Sequence, residues 1–116
     1  MKTALIFAED EYTRDTLKAA LCNHIPLIVT ENMVQCLEAL HQKAPVYKTI
    51  MGISGMNDLD VASAIEEISA LKPEMKIIIV GHKNDERMAV ESVRHGANGY
   101  LLLPIKADEL LTTMRQ

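Results

Sequence analysis

The sequence predicts a three-layer α/β/α sandwich built on a five-stranded parallel sheet. Short apolar, partly β-branched runs alternate with helix-length amphipathic segments five times along 116 residues. The strongest of these runs, "KIIIVG" (Lys76–Gly81), is unbroken, as a strand buried on both faces requires. The length suits one domain with its own core and leaves no room for two.

Each element has a local justification. Thr3–Ala8 (TALIFA) is a continuous apolar run that ends in acids. From Tyr12 to about Asn23, Leu17, Ala20 and Leu21 fall at helical spacing. Pro26–Thr30 reads as a second strand, with Thr30 placed to cap a helix carrying Met33, Leu37 and Leu40 at i, i+4 and i+7. Pro45 ends that helix, and "YKTIMG" (Tyr47–Gly52) is a third strand. Leu59–Leu71 repeats the helical pattern through Val61, Ile65 and Ile68, stopping before Pro73. After the fourth strand, Asp85–His95 is a helix that Gly96 terminates from just beyond its cap. "GYLLLP" supplies the fifth strand, and Lys106–Arg115 a last helix with Leu110, Leu111 and Met114. Such alternation demands right-handed crossovers and a doubly wound, flavodoxin-like strand order, 2-1-3-4-5.

Composition excludes several classes of function. Apolar residues make up 48% and charged residues 24%, which argues against disorder. A net charge of −4 without a basic stripe, and aromatics limited to Phe7, Tyr12, Tyr47 and Tyr100, argue against nucleic-acid binding by this domain. Cys22 and Cys36 match no zinc or redox spacing and read as reduced core or near-core thiols of a cytoplasmic protein. The opening "MKTALIFAEDE" turns acidic too soon for a signal peptide, and no run approaches the roughly 18 apolar residues of a membrane span.

In a doubly wound sheet, ligands and chemistry collect beyond the carboxyl ends of the strands. After the first strand stand Glu9, Asp10 and Glu11, suited either to a hard cation or to the dipole of the following helix. The third strand delivers Met51, Gly52, Ile53 and Ser54, none an acid or a base. Gly81 and His82 follow the fourth strand, His82 being a candidate ligand, base or pH sensor. Leu103-Pro104 closes the fifth. No Gly-rich phosphate loop, nucleophile–base pair or metal-ligand cluster is present, so the expected protein is not an enzyme.

Four stretches together resemble the receiver domain of bacterial two-component response regulators. They are "LIFAEDE" (Leu5–Glu11), "GMNDLDV" (Gly55–Val61), "IIIVGH" (Ile77–His82) and "GANGYLLLPI" (Gly96–Ile105). The resemblance covers nearly the whole chain and is most specific in the last stretch. It implies a site in which two acids bind Mg²⁺ and a third-strand aspartate accepts a phosphoryl group from a histidine kinase. A Thr or Ser after strand four and a Lys before the proline then contact the phosphate. Metal and lysine are needed because phosphoaspartate adds about two negative charges to an acidic pocket. Only the acids carry over, as Glu9 and Asp10. The acceptor position falls at Gly52 (Met51 or Ile53 if the loop is shifted), the Thr/Ser position at Gly81 and the Lys position at Leu103.

The expectation is therefore a degenerate receiver, a pseudo-receiver that cannot be phosphorylated at that strand end. Mg²⁺ at Glu9 and Asp10 is expected to be weak, and no cofactor is required. Ser54 is expected as a loop hydroxyl and Asp58 as the cap of the third helix. Tyr100 matches the family's switch aromatic, and Leu103-Pro104 its cis bond, with Leu103 turned into the vacated pocket. Communication would run through the fourth helix, fifth strand and fifth helix, with Met88, Arg94, Tyr100 and Lys106 on a dimerisation or docking face. Residues 1–116 would form the N-terminal part of a longer signalling or transcription-regulating protein whose output domain follows. Two alternatives remain at this point. One is a small ligand or divalent metal sensed at Glu9, Asp10 and His82; the other is a conventional regulator with a displaced acceptor at Ser54 or Asp58.

Overall fold

The computed structural model describes residues 2–42 and 45–115. Five parallel strands form one sheet in the order β2-β1-β3-β4-β5, as the alternation predicts. The elements run β1 (Thr3–Ala8), α1 (Glu11–Leu21), β2 (Leu27–Thr30), α2 (Met33–His41), β3 (Val46–Gly52) and α3 (Asp58–Leu71), then β4 (Lys76–His82), α4 (Glu86–Arg94), β5 (Gly99–Leu103) and α5 (Ala107–Arg115). A short 3-10 turn, Lys83–Asp85, separates β4 from α4.

Side chains alternate across the sheet, so each strand feeds two apolar cores. Phe7, Met51, Ile53 and Ile79 pack with Ile65 and Ile68 beneath α2, α3 and α4. Ile6, Ile50, Val80 and Leu103 pack with Leu17, Leu21 and Leu110 beneath α1 and α5. The central strands are mostly apolar because both faces are covered. Two polar residues of β3, Thr49 and Lys48, are buried among them. Lys48 is 3% exposed, and its Nζ donates to the carbonyls of Thr113 and Met114, 2.8 Å each, at the end of α5.

Several boundaries differ from the sequence reading. Asn32, not Thr30, caps α2, accepting from the Gln35 N–H. Thr30 still pairs with β1, and its hydroxyl donates to the Ile6 carbonyl. Likewise Asn57, not Asp58, caps α3, and Asp58 instead pairs with Arg87 at 3.2 Å. Strand β4 continues to His82, which delays α4 until after the 3-10 turn. Cys36 is buried as expected, with its thiol pKa pushed up to about 12 by burial, whereas Cys22 is exposed at the end of α1. Gly96, at φ +120°, lies just past the α4 cap, the left-handed position that glycine occupies without strain.

Candidate functional site

The carboxyl ends of β1, β3 and β4 meet where Ala8 pairs with Gly52 and Gly52 with Val80. Asp10, just beyond β1, is the N-cap of α1. Its Oδ2 accepts from the Thr13 N–H at 2.9 Å and from the Thr13 hydroxyl at 2.7 Å. The hydroxyl bond first, and the N–H bond second, hold the Asp10 carboxyl below its ordinary pKa of 3.8 against partial burial; His82 and Arg14 lower it further. Glu9, beside Asp10 in the chain, is exposed.

Capping by Asp10 fixes Thr13, which is fully buried, over the end of β3. A Cβ at Gly52 would lie 2.8 Å from Thr13 Cγ2 and 2.9 Å from Ala8 Cβ, inside contact distance. The threonine methyl thus occupies the space a side chain at position 52 would need. A similar substitution of packing occurs at Gly81, where a Cβ would lie 2.9 Å from Asp85 Cβ and 3.2 Å from Ile53 Cγ1. Asp85 is anchored there by two bonds: its Oδ2 accepts from Ser54 Oγ at 2.8 Å and from the His82 N–H at 2.9 Å. Ser54 is therefore more than a loop hydroxyl, since it ties the loop after β3 to the turn after β4. On the fifth strand Leu103 is 4% exposed and joins the apolar cluster beneath α1 and α5, and its bond to Pro104 is cis, as expected.

Two further groups roof the strand ends. The Tyr12 ring stacks on His82 with centroids 5.9 Å apart and planes at 29°. Arg14 donates to the Ala8 carbonyl at 2.9 Å, closing β1, and lies 4.0 Å from Glu31. From sequence, Thr13, Arg14 and Tyr12 have no role at this site, and Asp85 reads only as the start of the fourth helix and a charge of its outer face. Their roles depend on which loops meet, although Asp10 three residues before Thr13 is a readable capping signal.

Mg²⁺, which the family resemblance implies, does not fit the donors present. One Asp10 oxygen is committed to Thr13, and position 52 supplies no carboxylate. Among the described residues no three His, Cys, Asp or Glu side chains converge as a metal cluster. Glu9, Asp10 and His82 thus form no metal cluster, although His82 lies near enough to Asp10 to lower its pKa.

On the opposite flank, Tyr100 of β5 is 36% exposed, and Val90 and Val93 of α4 are 39% and 41% exposed. Arg94 is bonded to Glu91 at 3.1 Å, and Lys106 is exposed. Met88 departs from the expected face: it packs against the core beneath α3 and α4.

Comparison with known proteins agrees with this architecture. The solved receiver domain of NtrX from Brucella abortus superposes with a TM-score of 0.84 over 97% of this chain and 94% of that one, at 23% identity. A receiver domain from Clostridium thermocellum superposes at 0.83 over 99% and 92%, at 19% identity. Among curated proteins, the transcriptional regulatory protein ZraR of Klebsiella oxytoca is 24% identical over 97% of this chain, which spans 25% of its length. The chemotaxis protein CheY of Bacillus subtilis is 26% identical over 74% of this chain and 70% of its own. No helix among the described residues is long and apolar enough to cross a membrane. The family model for the response regulator receiver domain matches residues 5–115, and the chain belongs to that family.

Proposed function

We propose that this receiver domain works without phosphorylation, as a protein-interaction module in two-component-type signalling. The observation that carries this reading is the packing at Gly52. Thr13, fixed by Asp10, fills the position where a phosphoacceptor side chain would stand. Gly81 and Leu103 extend the same pattern, because Asp85 covers the first and the apolar core absorbs the second. A phosphoryl group here would meet neither a metal nor a lysine to balance its charge. What the domain presents outward is the flank of α4 and β5, where Val90, Val93 and Tyr100 are exposed beside Arg94. Exposed apolar side chains rimmed by charges suit a homodimer or a protein partner. In a longer chain the same flank would pass a signal to an output domain.

Incubation with acetyl phosphate and Mg²⁺, followed by intact-mass measurement, tests the reading. The expected result is unmodified protein under conditions that label a conventional receiver. A stable gain of one phosphoryl group, mapped to Ser54, Asp58 or Asp85, would overturn it.

A further inference from the structure

A second concave region lies at the opposite, amino end of the sheet. It is a cavity of about 560 Å³ lined by Lys2, Lys48, Lys76, Arg115, Tyr47 and Glu74, with an apolar wall from Ile25, Pro26 and Met114. Four of the chain's twelve Lys and Arg line this one basin, although the chain as a whole carries −4.

The sheet itself enforces the clustering. Lys48 and Lys76 are register partners on adjacent parallel strands, so their side chains leave the same face side by side. Like charges placed this way disfavour the pairing. Lys2 joins them from the start of β1, its Nζ 5.7 Å from the Tyr47 ring centroid; Lys48 Nζ lies 5.8 Å from the same ring. Burial first, and the charges of Lys76 and Lys2 second, push the Lys48 pKa down. Two of the three Lys48 ammonium protons go to the Thr113 and Met114 carbonyls, which anchors this lysine to the end of α5. The volume falls within the range of small-molecule sites, and the apolar wall offers a surface for an organic body. The four cations outnumber Glu74, so the net positive potential of the basin favours an entering anion.

We propose that this basin binds a small organic phosphate, with Lys2, Lys76 and Arg115 around the anion and Ile25, Pro26 and Tyr47 against its carbon skeleton. The site is independent of the carboxyl-end packing and of any phosphotransfer there.

NMR titration of the chain with AMP, and separately with inorganic phosphate, at low ionic strength tests the proposal. Saturating shifts are expected at Lys2, Tyr47, Lys76 and Arg115, with AMP binding several-fold more tightly than phosphate. The double variant Lys2→Gln/Lys76→Gln, at two exposed positions, should keep its fold and weaken AMP by about tenfold. The proposal is overturned by shifts that stay linear to about 10 mM AMP. It is overturned equally by matching shifts at Lys18, Lys83 and Lys106, by AMP binding no tighter than phosphate, or by unchanged affinity in the double variant.

Discussion

Gly52 and Thr13 form one packing unit, and their coupling is measurable. A methyl added at position 52 meets Thr13 Cγ2 at 2.8 Å and Ala8 Cβ at 2.9 Å, with no flexible side-chain end to give way. Overpacking of this kind costs about 1–3 kcal/mol. Gly52→Ala should therefore destabilise the domain by that amount in urea melts. Thr13→Ser removes the obstructing methyl and keeps the hydroxyl that bonds Asp10. In the double variant Gly52→Ala/Thr13→Ser the loss should be smaller than the sum of the singles, a favourable coupling between touching sites. Rescue will be partial because Ala8 remains. Strict additivity would show that Thr13 does not occupy the position. By the same logic, Gly52→Asp alone should not create a phosphorylated receiver, since its side chain meets the same Thr13 and Ala8 contacts.

At the level of elements, the caps show what sequence can and cannot decide. Apolar runs of strand length and helical spacing located every strand and helix, because burial on the sheet imposes those periods. The caps of α2 and α3 fell elsewhere: Asn32 in place of Thr30, and Asn57 in place of Asp58. Thr, Asn and Asp all satisfy cap chemistry, so neighbouring residues compete on nearly equal terms. Register in the sheet settles it, since Thr30 is still paired with Phe7. Asp85 was opaque for a related reason: its partner Ser54 lies 31 residues away, and only the fold brings the two loops together. Gly52, Gly81 and Leu103 were legible as missing chemistry, but the residues that fill their places were not. The cap on α1 yields a signed pH prediction. Folding lowers the Asp10 pKa from 3.8, so its contribution is complete above about pH 4 and is lost as pH falls through the folded value. Asp10→Ala should cost about 1 kcal/mol at pH 7, and the gap to wild type should narrow as pH falls below 3.8 through the folded value. Asp10→Asn retains a capping oxygen and should cost less at pH 7. A gap that is constant with pH would exclude the carboxylate as the source.

Across the whole molecule, the two ends of the sheet and its α4–β5 flank differ in chemistry. The carboxyl end is closed by internal packing, the amino end gathers lysines, and the flank exposes Val90, Val93 and Tyr100. The flank combines exposed apolar side chains with charge of both signs, from Arg94 and Glu91. The exposed Arg94–Glu91 pair itself contributes little to stability, of order 0–1 kcal/mol, so both charges are available for rearrangement against a partner. An interface on this flank would bury the three apolar side chains at its centre and leave the charges at its rim. Replacing Val93 with Asp puts a desolvated charge into that centre without touching either core cluster. Sedimentation should then show wild type self-associating with increasing concentration, and Val93→Asp remaining monomeric with an unchanged melting temperature at low concentration. Arg94→Glu should weaken association less, and its effect should shrink with added salt, as expected for a rim charge. A wild-type chain that stays monomeric at millimolar concentration would rule out the homodimer. The flank would then be left to a different protein partner, for which the same Val93→Asp variant provides the control.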